Sequence, residues 1–187
     1  MKKYSAQIRI MLALAALLFA TPAFAQNPTA TGVINATLIN KNGIALVFDS
    51  DPGGVTLGAA GTSAATLNFG TISAFGPLAP GVTRTSVTAA NYTVRTVFDV
   101  QVIQGGLNST TYTLSAQLAS ALPAGFSFKV DGVTLVNGPS NIQTNAVYNV
   151  DVPHNLDLTV STAAPGAGGP ALGTPQSTVI NFQASAN

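Results

Sequence analysis

The clearest pattern in the chain is a two-residue alternation between Tyr92 and Ile103. One series holds Tyr92, Val94, Thr96, Phe98, Val100 and Val102, while the other holds Arg95, Asp99 and Gln101, with Val97 and Ile103 as apolar exceptions. Successive side chains of a strand point to opposite faces of a sheet, so this segment is predicted to be a strand with one buried face. Thr110 to Leu118 alternates in the same way and is predicted to be a second half-buried strand.

Shorter apolar segments, separated by Gly, Pro, Asn and Ser clusters, predict further strands at the spacing of an all-β sandwich. They are Thr31 to Ile39, Gly43 to Phe48, Ala65 to Ile72, Phe126 to Val136, Ala146 to Thr162 and Thr178 to Ala186, with a long loop over Asp49 to Ala64. Asn42-Gly43 and Asp131-Gly132 are hairpin signals. Pro153 has no backbone N–H, which restricts its position to a sheet edge or a bulge.

The first 25 residues have the pattern of a secretory signal peptide. A basic start (Lys2, Lys3, Arg9) precedes the apolar run Ile10 to Ala20 and the small-residue site Ala23-Phe24-Ala25. The run is shorter than the roughly 20 residues that cross a bilayer, so no membrane span is predicted in the mature chain. We therefore expect export to the periplasm, the cell surface or the medium. Residues 26–187 would form one β-sandwich domain, with 26–31 as an N-terminal arm and 161–176 as a Gly/Pro linker before the last strand.

Composition excludes several classes of function. The full chain has a net charge of +1. It has no cysteine, and this excludes a disulfide framework, a thiolate metal site and a cysteine nucleophile. After removal of the leader, the chain contains four basic residues and six Asp, so the predicted mature chain carries a net charge of −2. This balance provides no basic surface for nucleic acid.

Candidate catalytic and metal-binding residues are few. His154 is the only histidine, and no Gly-x-Ser-x-Gly motif accompanies it. Since it follows Pro153 in a polar segment, we expect it to be exposed or hydrogen-bonded locally rather than catalytic. Asp49 and Asp51 open a Gly-rich loop, but two carboxylates are too few for calcium, and an Asx turn explains the pair equally well. No catalytic, cofactor-binding or metal residue is assigned, and the protein is predicted not to be an enzyme.

Two further kinds of motif receive a structural interpretation. The Gly-rich segments Gly53-Gly54 and Gly166 to Gly173 lack the lysine of a phosphate-binding loop and are interpreted as a turn and a linker. Asn35, Asn91 and Asn108 begin formal glycosylation motifs, which we interpret as ordinary Thr-rich strand sequence.

The chain has few charged residues with which to protect the edges of its many predicted strands. Exposed sheet edges are normally protected by Lys, Pro or bulges, yet the predicted mature chain has only Lys41 and Lys129. Either its own loops cover the edges or neighbouring molecules pair with them. The arm at 26–31 before the first strand and the linker at 161–176 before the last one are suited to strand exchange. The alternative is that each terminal strand closes its own sheet.

Short segments of the chain resemble secreted bacterial β-sandwich domains of the fimbrial-subunit and spore-coat-U type over roughly residues 65–187. The segments are Leu67-Asn-Phe-Gly-Thr71, Thr110-Thr-Tyr-Thr-Leu114, Val150-Asp-Val-Pro-His-Asn-Leu-Asp-Leu158 and Thr178-Val-Ile-Asn-Phe-Gln-Ala184. The resemblance implies an immunoglobulin-like antiparallel sandwich that assembles by strand donation. The chain lacks the disulfide of many members, and Ala186 stands where chaperone-assembled pilins usually have an aromatic residue.

These features favour an exported, non-enzymatic structural protein, a subunit of a fimbria, a coat or another extracellular assembly. Its expected partners are further copies of itself or other surface-assembly subunits. The alternative is a carbohydrate- or surface-binding adhesin module whose loops contact a glycan or a surface ligand. Such sites usually expose aromatic side chains, and Tyr148 is the candidate contact, although Tyr92, Tyr112 and Tyr148 all lie in segments that suggest a core.

Overall fold

The computed structural model describes residues 30–36, 43–163, 173 and 175–187. The predicted signal peptide, residues 26–29 of the predicted arm and most of the predicted linker lie outside these ranges. Within them the secondary structure is all strand and turn, with no helix. No helix able to cross a membrane is found among the described residues.

Eleven strands are described, and most follow segments of alternating side chains. They are β1 (Ala30–Ala36), β2 (Ile44–Asp49), β3 (Ala64–Gly70), β4 (Thr83–Val87), β5 (Asn91–Gln104), β6 (Thr111–Leu118), β7 (Phe126–Val130), β8 (Val133–Thr134), β9 (Ser140–Val147), β10 (Asp151–Ser161) and β11 (Gln176–Ala186).

The strands form two sheets, and the predicted all-β sandwich is confirmed. Sheet A has the order β3-β1-β11-β6-β9, and sheet B has the order β2-β5-β10-β7-β8, with β4 paired to β5. Every pair is antiparallel except β1 with β11, which is parallel. The first and last described strands are therefore neighbours in one sheet.

An aromatic cluster joins the inner faces of the two sheets. The ring of Phe182 on β11 lies 5.3 Å from that of Phe48 on β2 and 5.7 Å from that of Phe98 on β5, both edge to face. All three side chains are fully buried. The predicted inward series of β5 is also confirmed, since every member from Tyr92 to Val102 is buried. Packing of these apolar faces holds a sandwich that has no disulfide to stabilise it.

The long loop between β2 and β3 is tied to the core by Thr96. This threonine occupies an inward position of β5, and its Oγ1 accepts a hydrogen bond of 3.0 Å from the backbone N–H of Val55. Val55 and Leu57 are themselves buried. A polar residue in an otherwise apolar series thus satisfies the loop backbone that reaches into the sandwich.

Some strand predictions are wrong. Asn42-Gly43 does not join a hairpin, because β1 pairs in sheet A and β2 pairs in sheet B. The strands β4 and β9 were not predicted, and the segment predicted over Ala146 to Thr162 is the end of β9, a turn and β10. The Asp131-Gly132 hairpin is confirmed. Both residues have positive φ, 48° and 83°, as a type I′ turn requires.

Candidate assembly interface

Strand β1 lies in the interior of sheet A, between two strands from later in the chain. It pairs in parallel with β11 from Ala30 opposite Gln176 to Ala36 opposite Phe182. Its other side pairs antiparallel with β3, where Asn35 lies opposite Ala64. A seven-residue connection, 37–43, links β1 to β2 in the other sheet. Without β1, the facing sides of β3 and β11 would both lose their hydrogen-bonding partner.

The loop between β2 and β3 pairs with one position on the outer edge of each of these strands. The backbone of Gly58 exchanges two hydrogen bonds of 2.9 Å with Thr66 on β3. Phe48 on β2 donates to the carbonyl of Thr62 at 2.9 Å and accepts from the N–H of Gly61 at 2.8 Å. The chain's own loop therefore occupies part of two edges that could otherwise pair with another molecule.

The opposite edges are protected by irregular backbone and by proline. Strand β9 pairs with β6 through two register shifts, which disrupt the ladder at that edge of sheet A. In sheet B, β10 extends beyond β7, and the backbone of Asn155 is paired with Asp131 rather than with a strand. Backbone groups alternate along a strand, so Pro153 also faces this open edge, as the sequence predicts.

His154 is a core residue joined to a turn. Its side chain is 1% exposed, contrary to the expected exposed position. Nδ1 lies 2.6 Å from Oδ2 of Asp131, which is 23 residues away, so the predicted local bond is also wrong. Nε2 is buried without a hydrogen-bond partner among the described residues, and the ring lies 6.0 Å from that of Phe98. No described hydroxyl group contacts the imidazole in the manner of a Ser-His-Asp arrangement.

Asp131 bonds both to the histidine and to the strand beside it. Burial by itself would raise the pKa of Asp131, but hydrogen bonds from His154 and from the Asn155 backbone outweigh it and lower the pKa. Oδ1 accepts the Asn155 N–H at 2.8 Å. The carboxylate thus fastens the β7–β8 turn to β10.

Four aspartates lie near one end of sheet B. Asp49 lies opposite Asp99 in the β2–β5 pairing, and burial together with Asp51, Asp151 and Asp49 raises the pKa of Asp99. Asp51 Oδ1 accepts the Gly53 N–H at 2.6 Å, which is the predicted Asx turn. No group of three or more His, Cys, Asp or Glu in the described ranges has a metal-binding arrangement.

A loop held by Arg84 presents one exposed aromatic residue. Nη2 of Arg84 donates to the carbonyls of Ser73 and Gly76, each at 3.0 Å, and the Ser73 hydroxyl donates to the Phe75 carbonyl. The Phe75 side chain is 79% exposed. Sequence reasoning missed Phe75, and the signal that could have found it was an aromatic residue inside a Gly/Pro segment with no alternation.

Tyr148 is not accessible to a glycan. It is 4% exposed, and its ring lies 5.1 Å from that of Tyr112, which is fully buried. The proposal of Tyr148 as a ligand contact is therefore wrong, whereas the prediction that these tyrosines belong to the core is confirmed.

The remaining motifs fall in ordinary structural positions. Gly54 donates to the Asp51 carbonyl at 3.0 Å in the predicted turn. Asn35 lies in β1 and Asn91 begins β5, but Asn108 lies exposed in the loop between β5 and β6 rather than in a strand. The second Gly-rich segment, 166–173, lies outside the described residues except for its last glycine.

No family model matches the chain, and no curated protein is significantly similar to it.

Proposed function

We propose that this protein is an exported, non-enzymatic structural subunit of a fimbria, coat or similar extracellular assembly, joined to its neighbours by exchange of β1. One observation carries the proposal: a short N-terminal strand occupies the interior of sheet A between β3 and β11. A second copy's β1 could take the same place with the same backbone hydrogen bonds. Exchange of an identical element is a low-cost route to assembly, because the strand is bound equally well in either chain.

The protected edges support exchange over simple edge-to-edge pairing. Loop 50–63 bonds to Phe48 on β2 and to Thr66 on β3, and β9 and the β7–β8 edge are irregular or short. A strand added from another molecule would have to displace these bonds at β2 and β3, and at β9 and the β7–β8 edge it would meet an irregular or short ladder.

Cysteine cross-linking tests the exchange, because the chain has no cysteine of its own. Asn35 and Ala64 are directly opposite in the β1–β3 pairing, at a separation suitable for a disulfide. We expect the variants N35C and A64C, co-assembled after mixing, to form a 35–64 disulfide between chains, identified by mass spectrometry. Mixed V47C and Q101C chains are the control, because these residues pair within the fixed β2–β5 ladder.

Electron microscopy and size-exclusion chromatography of the mature protein provide the second readout. We expect polymers in the parent, and none in the N35C/A64C double variant once its intrachain disulfide locks β1 in place. Deletion of residues 26–39 should also abolish polymers while leaving a folded or partly folded monomer. A mature protein that is monomeric in every condition, with no interchain 35–64 disulfide, would refute the proposal.

The second candidate is an adhesin module, favoured by the exposed Phe75 on the loop that Arg84 holds. An exposed aromatic ring on a fixed loop can contact a sugar or an apolar surface. A glycan array compares the parent with F75A, because Tyr148 is buried. A signal lost in F75A favours an adhesin, and a blank array with both proteins argues against it.

A further inference from the structure

Formal charge is confined to one of the two sheets in the part of the chain that the structure describes. The strands of sheet A contain no Asp, Lys or Arg. The described charged residues all lie on strands of sheet B or in the loops beside them: Asp49, Asp51, Arg84, Arg95, Asp99, Lys129, Asp131, Asp151 and Asp157. The outer face of sheet B is therefore charged, whereas the strands of sheet A present an uncharged outer face.

Hydroxyl and amide side chains cover much of the outer face of sheet A. The pairing of β6 with β11 places the partly exposed Gln117 and Asn181 opposite each other, and the partly exposed Gln183 opposite Ser115, a buried residue whose hydroxyl donates to the Gln183 carbonyl. On β3, Thr66 is exposed in the outward series. Hydroxyl and amide groups both donate and accept hydrogen bonds, so two such faces can satisfy each other without burying a charge.

The same face carries a depression and a projecting apolar side chain. The depression has a volume of about 130 Å³ and is lined by Ser115, Ala116, Gln117, Pro139, Asn181, Phe182 and Gln183. Val147 on β9 lies opposite Thr111 and is 60% exposed. A two-fold interface uses one patch on both partners, so a side chain that projects from the patch needs a recess elsewhere on the same patch to receive it.

The size of the face fits a weak but specific contact. Five strands about 4.8 Å apart, each paired over about seven residues of about 3.3 Å, give a face of about 550 Å². Two copies packed face to face would cover about 1,100 Å² in total, just above the roughly 1,000 Å² that a biological interface needs. A standard interface is about 1,600 Å², so a single contact of this kind should be weak.

We propose that the outer face of sheet A packs against the same face of a second copy, so that assemblies formed through β1 also associate sideways. This inference rests on the proposed function for its biological role. Because β1 belongs to sheet A, the uncharged face is present on every copy that an exchanged strand joins. Weak contacts repeated along an assembly add together through effective concentration. The charged face of sheet B stays in water, where it opposes further aggregation.

The test uses the mature N35C/A64C protein in its oxidised form, in which strand exchange is blocked. Sedimentation equilibrium is measured over increasing protein concentration up to about 1 mM, at low and high salt. N181K adds a charge at the centre of the face, and lysine can extend to water in the monomer. Q101K adds the same charge to the outer face of sheet B and is the matched control. V147S removes the projecting side chain without adding charge.

We expect the locked parent and Q101K to form a weak dimer with little dependence on salt. N181K should weaken the dimer at least roughly tenfold, and V147S should weaken it by a smaller factor. A locked parent that remains monomeric at about 1 mM, or N181K dimers as tight as those of the parent, would overturn the inference. Binding of the locked parent to a neutral β-glucan that N181K abolishes, without dimers, would assign the face to a glycan instead. Since exchange is blocked throughout, these outcomes do not depend on whether β1 exchanges.

Discussion

The Nδ1 atom of His154 lies 2.6 Å from Oδ2 of Asp131, joining a buried position of β10 to the β7–β8 turn. The same carboxylate accepts the Asn155 N–H through its other oxygen. The only histidine of the chain therefore has a structural role in the described fold: it anchors a turn that ends one edge of sheet B.

Replacement of Asp131 by Asn should destabilise the protein in a pH-dependent way. Asn tolerates the positive φ of this position and keeps one acceptor, but it removes the charge beside His154. The pKa of Asp131 is lowered by folding, so its contribution is present above the unfolded value near 3.9 and is lost as pH falls through the folded value. We expect D131N to lower the free energy of unfolding by about 1–2 kcal/mol at pH 7, a range that allows for solvent screening of the partly exposed carboxylate. Urea unfolding from pH 7 to pH 2 checks this, and a loss that is constant with pH would contradict it.

Replacement of Asp99 by Asn should have the opposite effect on stability at neutral pH. Burial and the neighbouring aspartates raise the pKa of Asp99, so its ionised form costs stability at neutral pH. Protonation removes that cost as pH falls through the folded pKa and then the unfolded one. We expect D99N to stabilise the protein at pH 7 by no more than about 0.5 kcal/mol, because water screens these carboxylates. The gain should disappear at low pH in the same urea series, and destabilisation at pH 7 would rule out repulsion as the dominant effect.

The Arg95–Asp157 pair should show measurable coupling. Nε and Nη2 of Arg95 donate to the two carboxylate oxygens at 2.7 and 2.8 Å, and the Asp157 side chain is 9% exposed. R95A leaves this covered carboxylate without its guanidinium and should cost about 1–2 kcal/mol. R95K keeps the charge but not the planar fork, so it should recover only part of the loss. A double-mutant cycle with D157A measures the coupling, which we expect near 1 kcal/mol. Additive effects would show that the pair contributes no coupling.

Gly54 is required by close packing rather than by an unusual backbone angle. A Cβ at this position would overlap the carbonyl oxygen of Val97 on β5. We expect G54A to cost about 2–3 kcal/mol, because the loop must move away from the sheet. G138A is the control, since a Cβ there has no neighbour within 4 Å, and it should change stability by less than about 0.5 kcal/mol. Thermal or urea unfolding of both variants compares them, and equal stability would contradict the packing argument.

Arg84 should protect the loop that carries Phe75 from proteolysis. Its guanidinium donates to the Ser73 and Gly76 carbonyls on either side of the exposed ring. In R84A the loop should open more often, and cleavage follows the open population. We expect chymotrypsin to cut after Phe75 about five- to tenfold faster in R84A, as loss of about 1 kcal/mol of hydrogen bonding implies. F75A/R84A is the control that lacks the cleavage site, and an unchanged rate in R84A would show that the loop is held in another way.

The strands that sequence analysis predicted well are those with one buried face. In β5 and β6 each inward side chain alternates with an outward one, and that period is visible without knowledge of any partner strand. Strand β4 was missed because only Arg84 of its residues is partly buried, so no apolar period marks it. Strand β9 was missed because its bulged pairing with β6 breaks the two-residue pattern.

The candidate site was less accessible to prediction than the strands. Asn42-Gly43 has the local chemistry of a hairpin, yet β1 and β2 lie in different sheets because β1 finds its partners in β3 and β11. The covering of the edges by Gly58 and Thr62 depends on backbone contacts that no side-chain pattern records. His154 was expected in an exposed or local setting, because its neighbours in sequence are polar and its core neighbours are distant.

The sequence by itself determined that this protein is built from half-buried strands and turns, since alternation and turn residues act locally. It also determined the low charge of the chain. Only the tertiary structure decided which strands share a sheet. That decision places β1 between β3 and β11 and gathers the described charges on sheet B. The physical reason is that strand pairing joins residues far apart in the chain, and the preferred partner depends on which apolar faces can be buried together.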